Sequence, residues 1–243
     1  MNTRSTEARF YKDHYAGGVD VGATSLEVFA REMFGPGKRY GLVAERLLRR
    51  DGAGGCLVEI GCGGGEALLI LSEARHFHRI IGVDIALVPP RGQHGGTKVI
   101  EFLNGNLNEK WPFRDAEVDH LIAMMVIEHL FDPFHAFREI KRCLSSGGAA
   151  YINIPLVTGL RNRVRLLLGK IPETSISYER WFQLHEWDSN HLHYFSLRST
   201  HDLARSCGLR LTDIRGVGVF HQLKTRLPSL LASEITFRLE HNN

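Results

Sequence analysis

A glycine-rich turn near residue 60 constrains the fold of this chain more than any other feature of its sequence. The stretch reads VEIGCGGGE over residues 58–66 and joins a short apolar run to a helical pattern that begins at Glu66. Glycines at 61, 63 and 65 let the backbone bend tightly and approach a ligand, because no Cβ stands in the way. The turn therefore indicates a ligand-binding connection from a strand to a helix.

An acidic residue follows this turn at the spacing expected for the end of the next strand. Asp84 lies nineteen residues after Gly65, at the end of a second apolar run. A carboxylate at such a strand end can accept hydrogen bonds from both hydroxyls of a ribose. A dinucleotide is disfavoured, because its motif requires a third glycine where Glu66 stands. The alternative, a turn without a ligand and an aspartate that only caps a helix, stays open.

Apolar runs and helical patterns alternate from residue 57 to residue 154, and one more helix and two strands follow between 197 and 240. This order predicts an α/β fold, a doubly wound and mostly parallel sheet with helices on both faces. We predict an N-terminal arm at 1–36 and a single domain at 37–243 with an inserted lid at 156–196. The pair Gly147-Gly148 is expected to end the helix that starts after Asp132-Pro133.

Five segments taken together resemble the class I S-adenosylmethionine-dependent methyltransferases. They are the glycine turn, Asp84, the loop 105–113, the stretch 118–133 with its sequence Ile127-Glu128-His129-Leu130, and residues 139–155. The resemblance implies a seven-stranded Rossmann-like sheet and S-adenosylmethionine as cofactor. It also implies the cofactor-binding residues, which are Glu59, Gly61, Gly63, Gly65 and Met124 toward the methionine part, Asp84 toward the ribose, and Asn106 with Leu107 toward the adenine. The family often has aspartate at position 106, and an amide can both accept and donate there.

The downstream segment is similar to a narrower group. Residues 161–172, a tryptophan, and the sequence HLHYFS at 191–196 resemble methyltransferase-like proteins grouped with the methionine-biosynthesis protein MetW. Similar segments occur in methyltransferases of surface-sugar and natural-product pathways. This likeness leaves two functions open: methyl transfer to a small molecule, or an accessory role in which the chain acts through a partner enzyme.

Histidines supply the candidate catalytic residues. A hydroxyl acceptor needs a group that takes its proton, and imidazole titrates near neutral pH. His129 follows the fourth strand, and His191 and His193 lie in the predicted lid, where an extended backbone would turn both to one side. We expect one of these three to act as the base, with His191 first, and we expect no metal site.

A short basic cluster lies within the predicted lid. Arg161, Arg163, Arg165 and Lys170 surround the run Leu166 to Leu168. The simplest interpretation is a helix with a buried apolar underside and a solvated basic face. Recognition of an acidic acceptor and attraction to an anionic membrane surface are the alternatives.

Charge and hydropathy restrict the partners. The net charge of +3 is too small to indicate nucleic acid. No apolar run approaches a membrane span, and the N-terminus lacks the apolar core of a secretory signal. We therefore expect a cytoplasmic protein, without membrane insertion, whose partner is a small-molecule acceptor. A homodimer is compatible with the sequence. The function expected is transfer of a methyl group to a hydroxyl of a sugar or secondary metabolite.

Overall fold

The computed structural model describes residues 26–48, 54–74, 76–87, 99–175 and 191–242. Its strands are β1 (Gly54–Ile60), β2 (Phe77–Asp84), β3 (Ile100–Asn104), β4 (Val118–Met124), β5 (Leu144–Pro155), β6 (Leu209–Gly216) and β7 (Glu234–His241). They form one sheet in the order β3-β2-β1-β4-β5-β7-β6. β7 runs antiparallel to both of its neighbours, whereas β1 to β5 pair in parallel. The predicted doubly wound, mostly parallel, seven-stranded sheet is confirmed.

The helices flank this sheet. They are α1 (Leu26–Met33), α2 (Gly41–Val43), α3 (Glu66–Ala74), α4 (Pro133–Cys143), α5 (Leu160–Leu167), α6 (Leu197–Ser206), α7 (His221–Arg226) and α8 (Pro228–Leu231). A π-helical turn, Ala44–Leu48, continues α2, and a 3₁₀ turn, Ile127–His129, follows β4. Within the part of the chain that the structure describes, no helix is both long and apolar enough to cross a bilayer.

The sheet separates two apolar layers. Successive side chains of a strand point to opposite faces, so neighbours such as Leu121 and Ile122 join different clusters. Val58 and Ile152 belong to the same cluster as Leu121, and Leu57 belongs to the same cluster as Ile122. Both layers are fully buried, which explains why the central strands are apolar throughout rather than alternating.

The start of α4 follows its sequence signals, and its end does not. Asp132 caps the helix, its Oδ1 accepting from the Phe134 backbone N–H at 2.8 Å, and Pro133 occupies the first turn. The prediction that Gly147-Gly148 ends the helix is wrong, because α4 ends at Cys143 and β5 begins with the next residue. The glycines lie within β5, next to an irregularity in its pairing with β4.

The N-terminal part of the chain contributes to the domain. Helix α1 lies within the stretch that we predicted as an arm, and the Phe29 ring packs against Tyr40 with 6.2 Å between ring centroids. Residues 1–25 lie outside the described residues.

Candidate active site

The glycine turn joins β1 to α3 at the carboxyl edge of the sheet. Gly61, Gly63 and Gly65 all have a positive φ, between +53° and +80°. A Cβ at Gly61 would lie 2.3 Å from Cγ2 of Val126, and one at Gly65 would lie 2.6 Å from the Phe102 ring. A Cβ at Gly63 would meet no atom of the described part of the chain within 4 Å. Two of the glycines are therefore required by packing, and the third leaves open space above the turn.

Asp84 is held beside this turn, as the sequence predicted. Its Oδ2 accepts from the Gly63 N–H at 2.9 Å, and its Oδ1 accepts from the Ala86 N–H at 2.9 Å. The Gly61 N–H donates to the Val83 carbonyl oxygen at 2.7 Å, which ties the turn to the end of β2. Each carboxylate oxygen keeps a further lone pair, so the carboxylate can still accept from two hydroxyls.

Glu59 lies beneath the turn in a fully buried position. The Tyr40 hydroxyl donates to its Oε1 at 2.5 Å. Burial raises the pKa of Glu59 to about 8, and burial together with the charge of Glu59 raises the pKa of Tyr40. At neutral pH the Glu59 carboxyl is therefore protonated, and the pair forms a neutral support for the turn rather than a charged contact. Tyr40 is a site residue that sequence reasoning did not single out.

The loop after β3 holds Asn106 in an internal turn. Its Oδ1 accepts from the backbone N–H of Asn108 at 3.1 Å and from the Asn108 amide at 3.2 Å. Leu107 is 8% exposed and its carbonyl oxygen accepts from Trp111 Nε1 at 3.1 Å. These contacts shape the loop, and they place the Leu107 side chain in the apolar core.

The end of β4 carries two methionines with different roles. Met124 is half-buried and packs against the core layer that contains Leu57. Met125 adopts φ +57°, and its N–H donates to the Asn153 carbonyl oxygen at 3.1 Å. A left-handed conformation is uncommon for such a side chain. The backbone therefore turns sharply at Met125, two residues before the 3₁₀ turn Ile127–His129.

A buried carboxyl and two histidines meet at this edge of the sheet. Glu128 is 0% exposed, and neither of its carboxyl oxygens has a hydrogen-bond partner among the described residues. Nε2 of His191 lies 3.9 Å from Glu128 Oε1, and the His129 and His191 rings are 4.8 Å apart in an edge-to-face arrangement. Burial raises the pKa of Glu128 to about 8. The cluster can therefore accept or release protons near neutral pH.

Backbone contacts fix His191 in this position. The N–H groups of Leu192 and His193 both approach the Glu128 carbonyl oxygen, at 2.9 and 3.3 Å. The Thr174 hydroxyl is hydrogen-bonded to Nδ1 of His191 at 2.7 Å, which leaves Nε2 toward Glu128. Thr174 and Glu128 are further site residues that sequence reasoning did not single out, although Glu128 stands in the quoted fourth-strand motif.

His191 and His193 both contact the segment that follows β4. The His191 ring packs against His129, and His193 Nε2 lies 3.2 Å from the Phe131 carbonyl oxygen. The ligand-type atoms of Glu128, His129 and His191 lie within 4.8 Å of one another, a separation that a divalent cation could bridge. The spacing of the sequence did not reveal this arrangement. Residues 176–190 of the predicted lid lie outside the described residues.

Comparison with known proteins identifies the family of this chain. The family model described as a methyltransferase domain matches residues 29–214. A protein of Mycolicibacterium smegmatis named "Probable S-adenosylmethionine-dependent methyltransferase" is 31% identical over 118 residues, which are 49% of this chain and 44% of that protein. A protein of Mycobacterium tuberculosis with the same description is 34% identical over 119 residues, covering 49% of this chain and 42% of that one. The matches thus span less than half the length of these curated relatives.

Solved structures share the fold at low sequence identity. The 1,6-didemethyltoxoflavin-N1-methyltransferase of Burkholderia thailandensis has a TM-score of 0.62 and 15% identity, covering 99% of this chain and 89% of that one. An S-adenosylmethionine-dependent methyltransferase of Mesorhizobium loti has a TM-score of 0.58 and 14% identity, covering 84% and 98%. Because the family model spans most of the chain, from α1 into β6, the chain belongs to the methyltransferase domain family.

Proposed function

We propose that this chain is an S-adenosylmethionine-dependent methyltransferase whose acceptor is a hydroxyl of a small molecule, such as a sugar or a secondary metabolite. The observation that carries the proposal is the cluster of a buried Glu128 with the half-buried His129 and His191 at the carboxyl end of β4. β4 is the neighbour of β1, so this cluster and the glycine turn share one edge of the sheet. When bound, S-adenosylmethionine supplies a methyl group that is already activated for in-line displacement.

The residues around the turn fit this cofactor. The open space above Gly63 and the fixed Asp84 carboxylate form a cradle that a side chain at position 63 would fill. We assign the methionine part to the backbone of Glu59, Gly61 and Gly63, with Gly65 completing the turn, and the ribose to Asp84.

The neighbouring strand ends complete the assignment. The loop that contains Asn106 and Leu107 is assigned to the adenine, with its shape set by the internal turn of Asn106. Met124 closes the site on the β4 side.

The cluster supplies the chemistry that a hydroxyl acceptor needs. His191 is the first candidate base: Thr174 holds its Nδ1, and its Nε2 faces Glu128. Glu128 lies 3.9 Å away and stabilises the imidazolium that forms when His191 takes a proton only in its ionised form, which its raised pKa of about 8 places at mildly alkaline pH. His129 lies against the same ring and is the second candidate. His193 stays a third, although its ring is directed to the Phe131 carbonyl.

The structural neighbours support a small acceptor. The Burkholderia enzyme was solved with the small molecule 1,6-didemethyltoxoflavin and with S-adenosylhomocysteine bound. We propose that residues 156–196 act as a lid over the acceptor. Both ends of this segment are anchored at the carboxyl edge, since Leu156 forms a bridge with Phe195 and the Leu192 N–H donates to the Glu128 carbonyl.

A methyl-transfer assay tests the proposal. The purified chain is incubated with S-adenosylmethionine labelled in its methyl group and with a panel of UDP-hexoses and simple phenols. His191→Ala should lower the rate of transfer by about 10²–10⁴-fold with an unchanged affinity for S-adenosylhomocysteine. His201→Ala, at an exposed histidine of α6 that is not part of the cluster, is the matched control and should change the rate little.

Three other outcomes would contradict parts of the proposal. Wild-type rates in the alanine variants of His129, His191 and His193 would show that none is the base. Loss of activity on chelation, restored by Zn²⁺ or Mn²⁺, would show that the cluster acts through a cation. Binding of S-adenosylhomocysteine without transfer to any acceptor, together with capture of a partner enzyme, would favour the accessory role.

A further inference from the structure

Helix α5 exposes the face that a soluble helix normally buries. Leu160, Val164, Leu167 and Leu168 recur at helical spacing and share one side, and all four are exposed, Leu167 to 85%. The one buried residue of α5 is polar: Asn162 is 3% exposed and exchanges hydrogen bonds with the backbone of Glu173. The expectation of a buried apolar underside is therefore wrong. The packing surface of α5 is polar, and its apolar side faces outward.

A second apolar segment lies at α7 and α8. Its exposed side chains are Val219, Phe220, Leu223, Leu227 and Leu230. Phe220 is 77% exposed and adopts φ +57°, a left-handed conformation that bulky side chains seldom occupy. The Phe220 ring is thus exposed at a conformational cost that burial of the ring does not offset.

These two segments are neighbours. Nη2 of Arg163 donates to the Ser229 carbonyl oxygen at 3.2 Å, and the Leu156 N–H donates to the Ser233 carbonyl oxygen at 2.8 Å. They follow β5 and β6, two strands that run in the same direction, so both lie at the carboxyl edge that carries the active site. We call the exposed apolar side chains of the two segments the apolar rim: Leu160, Val164, Leu167, Leu168, Val219, Phe220, Leu223, Leu227 and Leu230.

The two segments that carry the apolar rim are also strongly basic. Residues 156–175 contain four Arg and Lys and a single acid, and residues 217–233 contain Lys224 and Arg226 and no acid. The two stretches thus carry a net charge of +5, whereas the remainder of the chain carries −2. Glu173 is shared by two guanidiniums, those of Arg161 and Arg165, at 2.7 and 2.6 Å. The occupant of this surface must therefore be both apolar and negatively charged.

We propose that the apolar rim is a peripheral membrane-binding surface that inserts its leucine and phenylalanine side chains among anionic phospholipids. Exposed leucines and a phenylalanine beside arginine and lysine are the composition of interfacial membrane segments. A second copy of this chain fits less well, because a two-fold contact would bring two surfaces of charge +5 together. The rim binds to one leaflet and does not span it, in agreement with the lack of a spanning helix among the described residues.

Vesicle sedimentation with the full chain tests this surface. The chain should sediment with vesicles of equimolar phosphatidylcholine and phosphatidylglycerol and much less with phosphatidylcholine alone. The double variant Leu167→Gln with Phe220→Asn should lose at least about tenfold in partitioning, given that each buried methylene contributes to membrane affinity. Asparagine tolerates the left-handed conformation at position 220, so this variant should fold. Lys170→Glu should reduce partitioning by about fivefold or more.

Val99 provides the matched control. It is 84% exposed, like the rim residues, but it precedes β3 and lies at the opposite, amino edge of the sheet. Val99→Gln should sediment like the wild type. Equal binding to neutral and anionic vesicles, or full binding by the double variant, would overturn the proposal. A dimer that dissociates in the double variant, with no vesicle binding by the wild type, would assign the rim to a second copy. Since no acceptor is present, the result is independent of the methyl-transfer assay.

Discussion

Substitution of alanine at single glycines of the turn should separate packing from ligand binding. Gly61 and Gly63 both have a positive φ, so alanine at either position costs about 1–2 kcal/mol of unfolding free energy. At Gly61 the new Cβ also meets the buried Val126 side chain at 2.3 Å, which adds about 1–3 kcal/mol of overpacking. At Gly63 it meets no atom of the described residues within 4 Å and projects into the space assigned to the cofactor.

Urea denaturation and calorimetric titration with S-adenosylhomocysteine measure the two effects. Gly63→Ala should lose roughly 1–2 kcal/mol of stability and more than tenfold in affinity, whereas Gly61→Ala should lose about 2–5 kcal/mol of stability. Gly208→Ala is the matched control, because Gly208 has φ +72°, and its Cβ would make only an ordinary contact with Lys141 at 3.6 Å. It should lose stability like Gly63→Ala and keep its affinity. Unchanged affinity in Gly63→Ala would refute the assignment of this space to the cofactor.

Four further results are expected. Asp84→Ala removes the ribose acceptor and should weaken S-adenosylhomocysteine binding by about 1–3 kcal/mol, and unchanged affinity by calorimetry would count against the assignment. The unfolding free energy should fall as pH rises from about 5 to about 8, by up to about 1.4 kcal/mol per pH unit for each raised carboxyl, because Glu59 and Glu128 keep their protons only in the folded state. Glu59→Gln should remove about half of this slope in urea titrations at several pH values, and an unaltered slope would contradict the raised pKa of Glu59. Tyr40→Phe leaves the buried Oε1 of Glu59 without its hydrogen-bond donor, so it should cost about 1–3 kcal/mol of stability; a cost near zero would show that the contact is not needed.

The alternation of apolar runs and helical patterns determined the sheet, because both signals are local. A strand buried on both faces is continuously apolar, and the turn from β1 to α3 needs glycine wherever φ is positive. Asp84 could be placed for the same reason, since parallel strands end at one edge and its distance along the chain from the turn is set by a single helix and strand. The end of α4 could not be predicted in this way. Pairing with β4 draws residues from 144 onward into β5, and this pairing overrides the signal of Gly147 and Gly148.

The contacts that make the proposed chemistry are long-range, and only the tertiary structure decided them. Glu128 and His191 are 63 positions apart, and hydrogen bonds from Leu192 and His193 to the Glu128 backbone bring them together. The orientation of α5 was equally invisible, because helical periodicity shows that apolar residues share a face and not which way that face points. Asn162 turns this face outward, since its amide bonds to the Glu173 backbone anchor the opposite side of the helix.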